Sequence, residues 1–278
     1  MGKYLYKRTF KIYYQMKKII FLLMLLCVCP VWAENYETIS NIIYHEGVNS
    51  TPESPCDLDL YYPKDKKGFA TVVWFHGGGL TSGRKYIPDE LKESGLAIVA
   101  VDYRLMPKVT LSDCIDDAAA AVAWTFNNIE KYGGRRDRII VSGHSAGGYL
   151  TNMVGLDKKW MKKYELDPDS IALLVPFSGH AISHFAYRKA KGMSVKQPSI
   201  DEFAPLYYVR GNASPIVIVS GDRNMELYGR YEETAYFWRM LKENGHKHAF
   251  LYELDGYNHS DMVRPGFHIL KNHVKKLK

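Results

Sequence analysis

The segment Gly143-His144-Ser145-Ala146-Gly147-Gly148 closely follows the apolar run Ile139-Ile140-Val141, and no other stretch restricts the fold as tightly. Glycines on both sides of a serine let the backbone pass close to its neighbours, where a side chain would collide. An apolar strand that ends this way turns sharply into a helix, and the serine is left at the apex. Such a turn needs a buried strand with neighbours on both sides, so it predicts a layered fold with a central sheet.

The rest of the chain agrees. The runs 70–75 and 96–101 are continuously apolar, as strands covered on both faces are. Apolar residues at 115, 118, 119, 122, 123, 126 and 129 give helical spacing over 111–131, which Gly133-Gly134 closes. Segments 138–141, 171–176, 215–220 and 249–254 are further strand candidates, and 230–244 and 262–277 are helix candidates. Strands alternating with helices predict an α/β fold with a mostly parallel sheet and helices on both faces. The alternating stretch Asp57–Pro63 stops at a proline and is expected at an antiparallel edge. Segment 179–214 fits the alternation least and is expected to be a small cap or lid insertion in a single domain of residues 34–278.

Charge separates the N-terminus from the remainder. Six of the 37 basic residues, and no acid, lie in the first 33 positions; removing those six leaves 31 bases against 30 acids. The near-neutral remainder excludes a nucleic-acid binder that works through a basic domain. Lys17-Lys18, the apolar run 19–29 and Val31-Trp32-Ala33 have the order of a secretory signal, so residues 1–33 are expected to be a leader, with Met16 an alternative start. The run is too short for a membrane span, and export to the periplasm or beyond is expected. Lipid attachment at Cys27 or Cys29 is the less favoured alternative. Of the later cysteines, Cys56 and Cys114 are expected to be buried and free rather than bonded.

Ser145 is the candidate nucleophile, its hydroxyl projected above the sheet edge by the turn, with the helix N-terminus behind it. His76-Gly77-Gly78-Gly79 closes the 70–75 run, and its unobstructed amides, with that of Ala146, form a candidate donor set for an oxyanion. His76 itself is read as structural. His259, in Asp255-Gly256-Tyr257-Asn258-His259 between the last strand and last helix candidates, is the candidate base. The acid that orients it should follow 215–220, where both Asp222 and Glu226 stand. Glu226 is preferred for its reach, Asp222 is nearer the strand end, and the other is expected to pair with Arg223 or Arg230. Asp102-Tyr103-Arg104-Leu105 reads as a hydrogen-bonding corner beneath the site. His180 and His184 are candidates for lining a pocket; His246 and His248 read as a solvated turn, and His268 and His273 as surface residues. Neither Cys-x-x-Cys nor His-Glu-x-x-His occurs, so no metal site is expected.

Together, His76–Gly79, Asp102–Leu105, Gly143–Gly147 and the late His259 resemble the α/β-hydrolase fold from about residue 57 onward. More closely they resemble its HGGG-bearing esterase branch, which includes hormone-sensitive-lipase-like carboxylesterases and acetyl esterases. The resemblance implies oxyanion donors at Gly78, Gly79 and Ala146, no cofactor, and hydrolysis of short-chain or carbohydrate-linked acyl esters through an acyl-enzyme. Segments 184–192 and 221–236 look like secreted bacterial esterases linked to polysaccharide deacylation. Two departures stand out. The family's usual acid position, three residues past Gly221, holds the neutral Asn224. The large helical N-terminal cap is missing, which implies an open pocket for bulky or polymer-attached esters. Three other readings remain: an amide-cleaving relative of the arylformamidase or peptidase type, an interfacial lipase (disfavoured by Arg188, Lys189 and Lys191 in the insertion), and a hydrolase-fold protein that only binds.

Overall fold

The computed structural model of the chain describes residues 13–18, 35–48, 51, 55–227 and 229–277. Two units separate, Met1–Ala33 and Glu34–Lys278. Of the first, only the helical residues 13–18 are described, so the apolar run and cleavage site of the expected leader lie outside the described residues. No helix among the described residues is long and apolar enough to cross a membrane.

The second unit is built on eight strands: β1 (Tyr36–Ile43), β2 (Asp57–Pro63), β3 (Phe69–Phe75), β4 (Ala97–Val101), β5 (Gly134–His144), β6 (Leu173–Phe177), β7 (Ile216–Gly221) and β8 (Ala249–Leu254). They form one sheet in the order β1-β2-β4-β3-β5-β6-β7-β8. β2 runs antiparallel to β1 and β4, and every other pairing is parallel. The expected antiparallel edge is thus a pair of strands, with β1 outermost.

Alternation along the strands divides the core into two layers, because successive side chains point to opposite faces. Val73, Phe75, Val99, Val101, Ile139 and Val141 pack against α1 (Leu111–Asn128) and α2 (Ala146–Leu156). Their neighbours Val72, Trp74, Ile98, Ile140, Val175 and Val219 pack against the helix that closes the chain, with Phe267, Leu270 and Val274. Trp74 is wholly buried there, its ring centroid 5.0 Å from Phe267 and 5.7 Å from Phe177.

Local chemistry sets the helix boundaries. Thr110 and Asp113 form a reciprocal capping box at the start of α1. The expected helix 111–131 ends earlier, at Asn128, and a 3-10 turn over Ile129–Tyr132 leads to Gly133 in a left-handed conformation (φ 97°). Gly134 then begins β5, which is longer than its apolar segment suggested, because Gly134 already pairs with Phe69 across an irregular register. The remaining helices are α3 (Lys158–Lys162), α4 (Phe185–Ala190), α5 (Arg230–Glu243) and α6 (Val263–Val274). The segment between β6 and β7 holds α4 and the 3-10 turn Pro205–Tyr208.

Some expectations fail for a physical reason. His246 is not a solvated turn residue: it is 2% exposed, with Nε2 3.2 Å from the Ser214 carbonyl. Arg188, read with Lys189 and Lys191 as a sign against a broad apolar lid, is buried, its guanidinium bonding the Gln197 carbonyl. His273 is half-buried, 3.0 Å from the Tyr252 hydroxyl.

Candidate active site

Ser145 lies between β5 and α2 with φ 56° and ψ −111°, a strained conformation for a residue with a Cβ. Its amide donates to the Phe177 carbonyl at 2.8 Å, which ties the apex to the end of β6. A Cβ on Gly147 would lie 2.0 Å from the Phe75 carbonyl oxygen, so only glycine lets α2 start this close to β3. The same close approach puts a notional Cβ of Gly77 3.5 Å from the Ser145 Cβ. The two glycine motifs of the sequence therefore meet side by side.

Gly78 and Gly79 have φ 106° and 64°. The Gly78 carbonyl accepts the amides of Thr81 and Ser82 at 3.1 and 3.0 Å, which folds the loop back on itself. The amides of Gly78 and Gly79 have no acceptor among the described residues. Ala146 is the first residue of α2, where a helix leaves its N–H free. His76 is structural in its contacts: it is 2% exposed, stacks on Tyr103 at 4.4 Å, and donates from Nδ1 to the Gly77 carbonyl. Burial lowers its pKa to about 4. Tyr103 in turn donates to the His76 carbonyl at 2.9 Å, while Arg104 forms a two-point ion pair with Asp117, so the corner after β4 supports the glycine loop.

His259 enters from the loop after β8. Its Nδ1 donates to Glu226 Oε2 at 2.8 Å. Glu226 is 1% exposed at its side chain, and Oε1 accepts the Gly221 amide at 3.1 Å. Burial alone would raise this carboxyl. The His259 hydrogen bond and charge, the Ser178 hydroxyl and the Gly221 amide outweigh it and hold the pKa at about 2. Asp222 takes a different position. Its Oδ1 accepts the Asn224 amide and its Oδ2 the Gly256 amide, both at 2.8 Å. It ties the acid loop to the histidine loop without touching the imidazole. The expected ion pair of Asp222 with Arg223 or Arg230 is absent among the described residues: Arg223 pairs with Glu253, and Arg230 with Glu233.

Further residues hold the His259 ring and its loop in place. His144 Nε2 donates to the His259 carbonyl at 2.8 Å, and the two rings lie 4.7 Å apart. Burial and the His259 charge lower the His144 pKa to about 4, so it is neutral there. Ser178 Oγ lies 3.0 Å from His259 Nδ1, on a residue at φ 44°. Arg230 bonds the Ser178 carbonyl and, at 2.7 Å, His180 Nε2, while His180 Nδ1 donates to Glu233 at 2.7 Å. His180 and His184 are thus buried. His180 joins the insertion to α5, and His184 caps α4 by accepting the Ala186 amide at 3.1 Å. The signal that points to Ser178 is only its place after an apolar strand end.

One group among the described residues brings metal-ligand types together: His45, Cys56 and Asp117 lie within 4.8 Å of one another. Both Asp117 oxygens already bind Arg104, and Oδ1 also meets His45 at 2.8 Å. The cation in this cluster is the guanidinium. Cys56 and Cys114 are free and buried.

The BD-FAE family model matches residues 58–228, more than half of the chain. The chain belongs to the BD-FAE family. The match covers the glycine loop, the serine turn and Glu226 of this BD-FAE domain. A probable isoprenylcysteine alpha-carbonyl methylesterase of Oryza sativa subsp. japonica is 30% identical over 74% of this chain and 54% of its own length. The probable carboxylic ester hydrolase LipM of Mycobacterium tuberculosis is 30% identical over 59% of this chain and 42% of its own length. The chain spans about half the length of these curated relatives. A solved structure described as a truncated form of carbohydrate esterase from gut microbiota superposes with a TM-score of 0.72 at 17% identity, covering 89% of this chain and 98% of that one. The fold is that of the α/β-hydrolases.

Proposed function

We propose that this BD-FAE domain is a serine carboxylesterase that hydrolyses short-chain or carbohydrate-linked acyl esters. The observation that carries the reading is the bond from His144 to the His259 carbonyl at 2.8 Å, because His144 immediately precedes Ser145. It binds the base's loop to the nucleophile's own turn. In this mechanism His259 takes the Ser145 proton as the oxygen attacks the ester carbonyl. The amides of Gly78, Gly79 and Ala146 hold the oxyanion, and Glu226 stabilises the imidazolium. His259 then protonates the leaving alcohol, and water reverses the sequence on the acyl-enzyme. No step calls for a cofactor.

The relatives' esterase names support an ester as substrate, and the carbohydrate esterase neighbour supports a sugar as its alcohol. The charged and apolar pattern of residues 1–33 supports export of the mature domain. The test is a panel of acetyl, butyryl, longer acyl and feruloyl esters, with matched amides, run on the wild type and Ser145→Ala. Ester turnover lost in the variant, with fluorophosphonate labelling of Ser145, is expected. No ester turnover, activity retained by Ser145→Ala, or faster turnover of the amides defeats the proposal.

A further inference from the structure

Arg230 is the first residue of α5 and is 2% exposed. Both facts count against a cation at this position. The N-terminus of a helix is its positive end, and a buried charge has lost its water. An apolar residue would fill the space at less cost, so the partners of the guanidinium give the reason for it.

Those partners lie on two sides of its plane. On one side Nε donates to Glu233 Oε1 at 3.0 Å and Nη2 to His180 Nε2 at 2.7 Å. Glu233 Oε2 accepts the amides of Ala181 and Ile182 at 3.1 and 3.0 Å, so this side seats the start of the insertion. On the other side Nη1 donates to the Ser178 carbonyl. Three nitrogens in one rigid fork thus join α5, the insertion and the end of β6, which a single ammonium could not do.

The Ser178 carbonyl leads to His259. At φ 44° Ser178 holds a conformation that is costly for a residue with a Cβ and that lasts only where the surroundings enforce it. Its amide donates to the Val219 carbonyl at 2.7 Å, and its carbonyl accepts from Arg230. A Cβ on Gly179 would come within 2.4 Å of the Gly148 carbonyl carbon, so α2 closes off the next residue. With its backbone held at both ends, the direction of the Ser178 side chain is set, and Oγ lies 3.0 Å from His259 Nδ1. Freed of Arg230, the carbonyl could turn, and the hydroxyl would swing with it.

We propose that Arg230 is a positioning residue for the general base: its grip on the Ser178 carbonyl aims the Ser178 hydroxyl at the His259–Glu226 pair, and its bonds to His180 and Glu233 tie that aim to the seating of the insertion. The inference rests on the serine esterase reading of Ser145 and deepens it.

The experiment measures kcat and KM on p-nitrophenyl acetate, and the rate at which fluorophosphonate labels Ser145, in the full chain. Arg230→Lys keeps a charge beside Glu233 and cannot hold both sides at once. It lowers kcat and the labelling rate about ten-fold, the loss expected of Ser178→Ala, with KM within about a factor of two. Made in a Ser178→Ala background, the same change costs less than about two-fold more, because the hydroxyl that Arg230 aims is gone. Arg230→Met combined with Glu233→Gln leaves no lone buried ion and gives the same pattern should the lysine variant fail to fold. Arg239→Met, which breaks an exposed pair with Glu243 on the same helix, leaves kcat at its wild-type value. Wild-type kcat in the folded Arg230 variants overturns the proposal. So does a loss confined to KM or to the unfolding midpoint, or a further loss of about ten-fold in the Ser178→Ala background. Each of these leaves the esterase reading standing. A wild type inert toward both the ester and the probe overturns the two together.

Discussion

Glu226 Oε2 and His259 Nδ1 lie 2.8 Å apart, and Asp222, only four residues before Glu226, faces backbone amides instead. The two acids therefore have separable roles. Glu226→Gln is expected to lower kcat by about 10³–10⁴, because a neutral partner neither stabilises the imidazolium nor selects its tautomer. Asp222→Asn is expected to lower the unfolding midpoint and leave most of kcat. Steady-state kinetics with thermal melts on both variants checks the pair, and equal mild effects on kcat would refute the assignment.

Ser178 shares the His259 Nδ1 position at 3.0 Å and bonds Glu226 as well. Ser178→Ala removes a hydrogen bond to a charged pair, worth about 1.5 kcal/mol, or roughly ten-fold in kcat. KM is expected to stay within a factor of two, roughly the scatter of such measurements. A loss seen only in KM or in stability would remove Ser178 from the positioning of the base.

Acid should destabilise the fold in two steps. The buried histidines His76, His144 and His180 titrate at about 4 rather than 6.5, burial being the main cause in each. Their neutral forms support the fold fully above pH 6.5, and that support is lost as the pH falls toward 4. Glu226, lowered from 4.5 to about 2, then contributes stability that is lost between those values. Urea midpoints across this range should show both steps. His144→Gln should flatten the first by about one proton, roughly 1.4 kcal/mol per pH unit at most, and Glu226→Gln should flatten the second.

A methyl group on Gly78 would meet the Ser82 carbonyl oxygen at 2.0 Å, on a backbone with φ 106°. The obstacle is main chain, so it cannot rotate aside. Gly78→Ala is expected to distort the loop that carries the donor amides and to lower kcat at least a hundred-fold, the scale of a lost oxyanion donor. Circular dichroism and ester turnover together check this, and wild-type kcat in Gly78→Ala would show that the loop does not carry an oxyanion donor.

Much of the fold was legible because its signals are local. The apolar spacing of α1, the apolar runs of β3 and β4, and the glycines around Ser145 each act within a few residues of themselves. The boundary of α1 at Asn128 and the early start of β5 at Gly134 were not legible, since they depend on pairing with Phe69 in a strand far away in the chain. His246 was misread for the same reason: a polar residue in a short turn looks solvated until the Ser214 carbonyl is placed beside it.

The sequence by itself determined the sharp turn at Ser145, the glycine loop at 76–79 and the alternation that builds the sheet, because steric and periodic constraints act between near neighbours. Tertiary structure decided which carboxylate hydrogen-bonds to His259, since that pairing depends on how two loops 33 residues apart in the chain settle against each other. The Gly221 amide takes one oxygen of Glu226 and leaves the other for the imidazole, while the Asn224 and Gly256 amides occupy both oxygens of Asp222. Hydrogen-bond satisfaction in a buried place is a property of the folded neighbourhood, and residue spacing does not encode it.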